Sequence, residues 1–460
     1  MAWNPKLIRG PEPLALALVR ALTDDITNGT LPSGSRLPTQ REIADDLKIA
    51  LGTVTRAFNE AEKRGLIFGD GRRGTFVGET PKGKRLLSAM HSMAISGVDL
   101  SKNHPAHAYD PDLAGVLRQI AKSSDMGRLL QYPPGAGFSH HREAGARWLK
   151  TMGFAVDPER LYLCGGAQHA LTVAFGAETH PGDIVAAEEY TYPGIKAACE
   201  MLGLELVGLA MDEEGIIPDA LEAACRHGRI RLLYCNPTLH NPTTKTSSTA
   251  RRKEIIAIAE KHDLIIVEDE ILAPLLDKPV EYFAALAPER CYYIVSTSKA
   301  VAAGLRLGFI VAPPKSRQRL VDSLQTSNLG GPPLTGEIFA RWLDDGVVER
   351  TIARRRREIA VLNQITTEVL RDFDVRSHRS SYNVWLVLPD NWTSANFALE
   401  AQRRGVLVAP AEIFAVDKKT PTNAVRLSIG SISDRAELER GLIVLRDIMA
   451  GSTPKESVKM

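Results

Sequence analysis

The chain has 460 residues, with 57 Lys and Arg against 55 Asp and Glu, 44% apolar residues and five cysteines. That length exceeds a single core and implies roughly two to four domains, and the apolar share excludes a disordered chain. The near-balanced charge excludes a polyanion-binding field over the whole molecule, so a nucleic-acid site has to be a local patch. No cysteine belongs to a C-x-x-C pair, so the thiols are expected to be reduced, as in a cytosolic protein, with no disulfide frame and no metal. The opening MAWNPKLIRGPEP has no apolar signal core, and no apolar run approaches the ~18 residues of a membrane helix. Neither export nor a membrane is expected.

In chain order, Leu14, Leu18, Val19, Leu22 and Ile26 recur at helical spacing, and GTLPSGSRLP ends that helix. Thr39 stands as an N-cap before QREIADDLKI, with Glu42 three residues on, a capping-box spacing. A short break at 49–51 precedes GTVTRAFNEAEKRGL, so two short helices flank a tight turn. LIFGDGRRGTFVG then reads as a β-hairpin around a Gly-rich turn. Residues 79–107 lose periodicity and are expected to be a linker. Beyond them, apolar runs such as IVAAEEY, RLLYCN, LIIVEDE, YYIVSTS and LGFIVAP alternate with amphipathic stretches. That alternation predicts a mostly parallel sheet covered on both faces. The part from 341 to 450 reads as a smaller α+β lobe with strands at YNVWLVLP and AVRLSIG, and 451–460 as a mobile tail.

The front segments SRLPTQREIADDL, TVTRAFNEAEKRGLI and GRRGTFV resemble the winged helix-turn-helix of GntR-type bacterial regulators. The resemblance implies a DNA-binding domain over 1–78. Its second helix would enter the major groove, with Gly52, Thr53, Thr55 and Arg56 at base edges. Arg36, Gln40 and Arg41 would meet phosphates, and the wing tip Arg72, Arg73 and Gly74 would reach the minor groove or backbone. Double-stranded operator DNA is the expected partner.

In the second half, STSKAVAAGLRLG places Lys299 after an apolar strand, among Ser296, Thr297 and Ser298, with Arg306 seven residues on. CGGAQHALTVAF sets Gly165, Gly166, Ala167 and Gln168 at a strand-to-helix junction, where backbone N–H groups favour a phosphate. EEYTYPGI contains Tyr192, NPTLHNPT contains Asn241, LIIVEDE ends near Asp269 and AVRLSIG contains Arg426. An acid just past a buried strand is costly unless it is paired. These segments, in this order, resemble fold-type I aminotransferases. The resemblance implies pyridoxal 5'-phosphate (PLP) held by Lys299 as a Schiff base. Arg306, Ser296 and Ser298 would be at the phosphate, Tyr192 on the ring and Asn241 at its hydroxyl. Asp269 would meet the ring nitrogen, and Arg426 a ligand carboxylate. Upstream, QYPPGAGFSHHREAG resembles the stretch whose tyrosine, here Tyr132, reaches the phosphate of a partner subunit, so a homodimer is expected. The body would span 108–450, with a large domain at about 131–340 and a small one at about 108–130 and 341–450.

Together the two halves resemble a MocR-type regulator, a GntR-type reader fused to an aminotransferase-like body. Two departures bear on chemistry. Ile271 and Leu272 stand where that family carries a tyrosine touching the ring hydroxyl, and Gly165 stands where a serine or threonine is common. The expected function is therefore a cytoplasmic, PLP-dependent transcriptional regulator that senses PLP or a small amino compound, with weak transamination. An active aminotransferase with a DNA-binding domain is the alternative, and a regulator whose pocket holds no cofactor is a third.

Overall fold

The computed structural model describes Trp3, Pro5 and residues 14–27, 30–32, 34–63, 66–69, 74–77, 97–124, 126–417, 420 and 423–451. The chain divides into two compact units, Met1–Arg85 and Leu86–Met460. Among the described residues, no helix is long and apolar enough to cross a membrane. All five cysteines are free, and four of them are buried.

The first unit packs α1 (Leu14–Thr27), α2 (Gln40–Leu47) and α3 (Leu51–Lys63) beneath a hairpin of β1 (Ile67–Gly69) and β2 (Thr75–Val77). The helix-spaced residues Leu18, Val19 and Leu22 meet Ile43, Val54, Ala57 and Phe58 in one core that Ile67 and Val77 close. Thr39 starts α2 through a full capping box. Its hydroxyl accepts from the Glu42 N–H at 3.3 Å, and the Glu42 carboxylate accepts from the Thr39 N–H at 2.7 Å. Such a box satisfies two N–H groups that the first helical turn leaves without partners.

The second unit is built on a seven-stranded sheet. In spatial order it runs β4 (Leu161–Cys164), β10 (Gly308–Val311), β9 (Cys291–Ser296), β8 (Ile265–Asp269), β7 (Ile230–Cys235), β5 (Ile184–Glu188) and β6 (Glu205–Leu209). Only β10 runs antiparallel to its neighbours. Every residue of β8 and β9 is buried, the signature of a parallel sheet covered on both faces. Helices on this sheet include α4 (Ser139–Thr151) and α5 (Ala167–Glu178). Farther along, α7 (Pro333–Asp344) packs on α4 and leads into the long α8 (Val347–Val369); α6 (Thr297–Ala300) is the single turn after β9.

The smaller lobe has a four-stranded sheet, β11 (Val375–Ser377), β12 (Asn383–Val387), β15 (Ala424–Ser428) and β14 (Ala409–Pro410). It packs on α9 (Arg435–Met449), where Leu438, Leu442 and Leu445 are fully buried. One expectation is corrected here. The linker does not extend to residue 107, because β3 (Val98–Asp99) pairs in parallel with β13 (Val406–Leu407). Leu100 continues the pairing: its N–H donates to Leu407 O at 2.9 Å and its carbonyl accepts from Ser428 N at 2.7 Å. Leu100 is fully buried, and the Ala106 N–H donates to Gly430 O at 2.7 Å. A two-residue strand is too short to show periodicity, so nothing in the sequence separates it from a coil. Residues 79–96 and the tail 452–460 lie outside the described residues.

Candidate functional site

In the first unit, α3 begins with exposed Gly52 and Arg56 and half-buried Thr53 and Thr55. Thr55 donates to the Gln40 side-chain oxygen at 2.8 Å, which ties the start of α2 to α3. The Arg56 Nε–H donates to Gly52 O at 3.2 Å, while Arg36 and Arg41 are exposed. Arg36 is bridged to Phe76 of the wing and lies against Gly74, where a Cβ would meet its Nε at 3.0 Å. Exposed cations thus stand on α2, α3 and the base of the wing. Arg72 and Arg73 lie outside the described residues.

In the second unit, a cavity of about 270 Å³ is lined by Ala167, Gln168, Tyr192, Asn241, Asp269, Ile271, Ser296, Ser298, Lys299, Arg306 and Arg426, and by the segment Lys102–His104. The architecture explains the convergence. β8 and β9 are adjacent and parallel, with Asp269 paired to Ile294, so both strands deliver their C-terminal ends to one edge of the sheet. Ser296 ends β9 and caps the turn of α6, its hydroxyl accepting from Ser298 N at 3.3 Å. Lys299 projects from that turn. Arg306, in the left-handed region at φ 49°, donates from Nη1 to Ser298 Oγ at 3.2 Å.

The Lys299 ammonium is held by the Asn103 carbonyl. Burial pushes its pKa down to about 8, helped by the positive charges of Arg426 and Arg306 and opposed by Asp269. The amine is thereby closer to its neutral, nucleophilic form at physiological pH than a surface lysine is. Asp269 shows the reverse effect. Burial raises its carboxyl to about 6, opposed chiefly by the hydrogen bond from Tyr234 and also by the Lys299 charge. The Tyr234 hydroxyl donates to Asp269 Oδ2 at 2.9 Å, while Asp269 Oδ1 is buried without a partner.

Arg426, on β15, is buried with its guanidinium 4.9 Å over the Phe414 ring. Nη1 donates to Asn241 Oδ1 at 3.0 Å and Nη2 to Ser101 O at 2.5 Å. Burial lowers its pKa to about 10, so it remains a cation at neutral pH. The Asn241 N–H donates to Asn236 Oδ1 at 2.7 Å, and Asn236 in turn donates to Asp269 O at 2.5 Å. Lys299, Arg306 and Arg426 thus face the single carboxylate of Asp269, while Lys102 at the rim is paired with Asp99 at 3.1 Å. The pocket favours a ligand carrying two anionic groups and one ring cation or N–H donor.

Two expected phosphate donors are already engaged within the chain. Gly165 and Gly166 do not offer free N–H groups: Gly165 donates to His169 Nδ1 at 2.9 Å and Gly166 to Cys164 O at 2.9 Å. The N–H groups left for an anion are those of Ala167 and Gln168, in the first turn of α5, which has no intrahelical acceptors for them. Gly166 has another task. At φ +88°, a Cβ there would lie 2.6 Å from Arg306 Nη2, so glycine lets the guanidinium close on the helix start. Tyr132, expected at the phosphate of a partner subunit, is 81% exposed and does not line the pocket of its own chain. Of the two positions lacking the tyrosine, Ile271 lines the pocket, whereas Leu272 is fully buried in the core.

Sequence reasoning missed Tyr234, Asn236 and the segment 101–104. The first two touch Asp269 and Asn241 across adjacent strands, and β7 pairs Tyr234 with Val267 rather than with Asp269. Only the register reveals that contact.

Residues 95–445 match the family described as aminotransferase class I and II, and residues 14–77 match the gntR family of bacterial regulatory proteins. The chain is 29% identical over 450 residues to an uncharacterized HTH-type transcriptional regulator, YdeF, of Bacillus subtilis, covering 98% of this chain and 97% of that protein. It is 26% identical over 466 residues to the HTH-type transcriptional regulator TauR of Rhodobacter capsulatus, covering 91% and 93%. Among solved structures, the α-aminoadipate aminotransferase LysN of Thermus thermophilus, complexed with N-(5'-phosphopyridoxyl)-L-leucine, superposes with a TM-score of 0.71. Its identity is 26%, over 80% of this chain and 94% of that one.

Proposed function

The chain belongs to the aminotransferase class I and II family and carries a GntR-family DNA-binding domain at its front, and from that footing we propose that it is a PLP-dependent transcriptional regulator that senses a small amino compound. The observation that carries this reading is the convergence of Lys299, Asp269, Asn241, Arg306 and Arg426 on one cavity in a chain that begins with a winged helix-turn-helix.

The residues fit PLP in charge and in hydrogen-bonding capacity. The buried, unpartnered Asp269 Oδ1 suits a pyridine N–H, and Tyr234 holds the carboxylate through its other oxygen. Arg306, Ser298 and the first N–H groups of α5 suit the phosphate. Lys299 supplies the amine for a covalent link, and Tyr192 and Asn241 line the same cavity. When bound, PLP supplies an electrophilic carbon for amines and a ring that accepts electrons.

Arg426 selects a carboxylate-bearing amine, exchanging Ser101 O for the ligand's oxygens in a two-point contact. Lys299, whose amine would hold the cofactor, can carry or release a proton at Nζ near neutral pH. Both cations bear on one segment, because the carbonyls of Ser101 and Asn103 accept from Arg426 and Lys299. That segment follows directly on the connection from the DNA-binding domain. A ligand that takes over these two cations releases the segment, and this gives it different affinity for two arrangements of the chain, as a switch requires.

A homodimer fits the same reading. Leu130, Tyr132 and Leu329 are 88%, 81% and 55% exposed. Gly330 lies against Pro133, so the chain next to Leu329 runs beside the chain next to Tyr132. A second copy would cover these apolar side chains. Operator DNA places the regulator in the cytoplasm.

The test pairs spectra with DNA binding. Purified protein should take up PLP and turn yellow, and one of a panel of amino acids and amines should change the spectrum. That compound should shift operator affinity several-fold while being turned over slowly with a keto acid. Fast, sustained transamination with unchanged operator affinity would make the chain an aminotransferase instead.

A further inference from the structure

Outside the Lys299 pocket, three side chains meet in a way their secondary structure does not require. His140 and His141 open α4, and Glu337 projects from α7. Neighbouring positions on a helix diverge by about 100°. Here both imidazoles nonetheless converge on a single carboxylate oxygen, with Nε2 of His140 at 3.0 Å and Nε2 of His141 at 3.2 Å from Glu337 Oε2. The two ring centroids are 4.0 Å apart, and the three ligand atoms all lie within 4.8 Å of one another.

The surroundings hold this arrangement in place. Arg341 Nε donates to the other oxygen, Glu337 Oε1, at 2.7 Å, which aims Oε2 at the histidines. Gly336 makes room, since a Cβ there would stand 2.7 Å from His141 Nδ1. His141 is 1% exposed, whereas His140 is half exposed and borders a cavity of about 440 Å³ lined also by Ser123, Arg128 and Ser139.

We propose that His140, His141 and Glu337 form a binding site for one divalent transition-metal ion of the zinc type, with its fourth position open to the adjoining cavity. A tetrahedral ion with bonds of ~2.0–2.2 Å sets neighbouring ligand atoms ~3.3–3.5 Å apart. The two nitrogen-to-oxygen distances, 3.0 and 3.2 Å, need only a small expansion to admit it, and the two nitrogens lie within 4.8 Å of each other. Two imidazoles and one carboxylate suit zinc, cobalt or nickel and disfavour magnesium and calcium, which prefer all-oxygen shells. The Arg341 contact is the carboxylate support such sites use. With Arg128 and Arg341 on its walls, the cavity favours hydroxide or a small anion as the fourth ligand. One feature limits affinity. Metal on Nε2 places the His141 proton on Nδ1, which is buried without an acceptor. Missing outer support of this kind weakens a site about 10–100-fold, which sets the expected affinity in the micromolar range. The cysteine pattern, which carries no metal signal, has no part in this site.

The experiment uses the full-length, PLP-loaded protein stripped of metal. Zinc is titrated in competition with a chromophoric indicator, on wild type and on the His140→Asn and Glu337→Gln variants. His140 is half exposed, so its replacement leaves the fold intact, and unchanged circular dichroism and PLP uptake verify this. Wild type should bind one more zinc ion per chain than His140→Asn, and Glu337→Gln should bind it at least tenfold more weakly. Cobalt should give the visible bands of a four-coordinate nitrogen and oxygen shell without a thiolate charge-transfer band. Equal zinc binding by wild type and His140→Asn, no binding in the micromolar range, or a thiolate band that survives in the variant would each overturn the assignment. The outcome is independent of the PLP reading, because no ligand of this site lines the Lys299 pocket.

Discussion

Asp269→Asn separates the demands of the site from the demands of the fold. In the apoprotein, burial raises the Asp269 carboxyl from its ordinary 3.8 to about 6. A carboxyl raised in the folded state destabilises the fold above that pKa, and the penalty is relieved as pH falls through it. A shift of this size costs about 3 kcal/mol at pH 7, and about 1 kcal/mol of that is recovered on lowering the pH from 7 to 5. Asparagine removes the charge and keeps an acceptor for the Tyr234 hydroxyl. Its amide leaves one buried donor unpaired, which costs about 1–2 kcal/mol. The apo variant should therefore be more stable than wild type by about 1–2 kcal/mol at pH 7, a Tm rise of about 1–3 °C for a unit of this size. The advantage should vanish by pH 5. With PLP the order should invert: wild type gains the partner its carboxylate lacks, and the variant should bind PLP about 10–100-fold more weakly for want of a charged hydrogen bond. Thermal unfolding followed by tryptophan fluorescence, with and without PLP at pH 5, 6 and 7, reads all of this, since Trp148, Trp342 and Trp385 are buried in this unit. An apo variant less stable than wild type at every pH, with PLP affinity unchanged, would refute the reasoning.

Lys299→Ala should lose the covalent yellow species while keeping the wild-type circular dichroism; a colour that survives dialysis would place the linkage on another amine. Arg56→Ala should lose about 1–3 kcal/mol of operator-specific binding, measured against a non-specific duplex. Arg41→Ala should weaken binding to all sequences and flatten the salt dependence, and identical salt slopes would remove Arg41 from the phosphate contacts. Ile271→Tyr, which restores a phenol at the position lining the pocket, should raise turnover of the responding amino compound with a keto acid. Leu272→Tyr should instead lower stability by about 1–3 kcal/mol, because that side chain is fully buried and a larger ring overfills the core.

Much of the molecule was legible along the chain because its signals are local. The capping box at Thr39 and Glu42 needs only a three-residue spacing, and the hairpin after α3 announces itself by two apolar runs and a glycine-rich turn. The buried strands of the parallel sheet are written as unbroken apolar runs, since both of their faces are covered. Lys299 and Asp269 stand at the ends of such runs, whereas Asn241 and Arg426 were legible only through the resemblance to fold-type I aminotransferases.

Other features were decided only when distant segments met. Tyr234 and Asp269 are 35 residues apart and touch because β7 and β8 lie side by side in one register. Residues 97–107 read as linker because a two-residue strand has no period, yet pairing with Val406–Leu407 and burial of Leu100 draw them into the smaller lobe. Gly165 carries the composition of a phosphate loop, but His169, one turn along α5, claims its N–H. Whether 271 or 272 faces the ring depends on how the chain turns after β8, and the turn puts Ile271 in the pocket and Leu272 in the core. His140 and His141 are an ordinary pair in sequence, and their common target, Glu337, comes from a helix almost two hundred residues away. Spacing along a chain fixes which residues share a face of one element, whereas contacts between elements follow from strand register and helix packing, which no local pattern records.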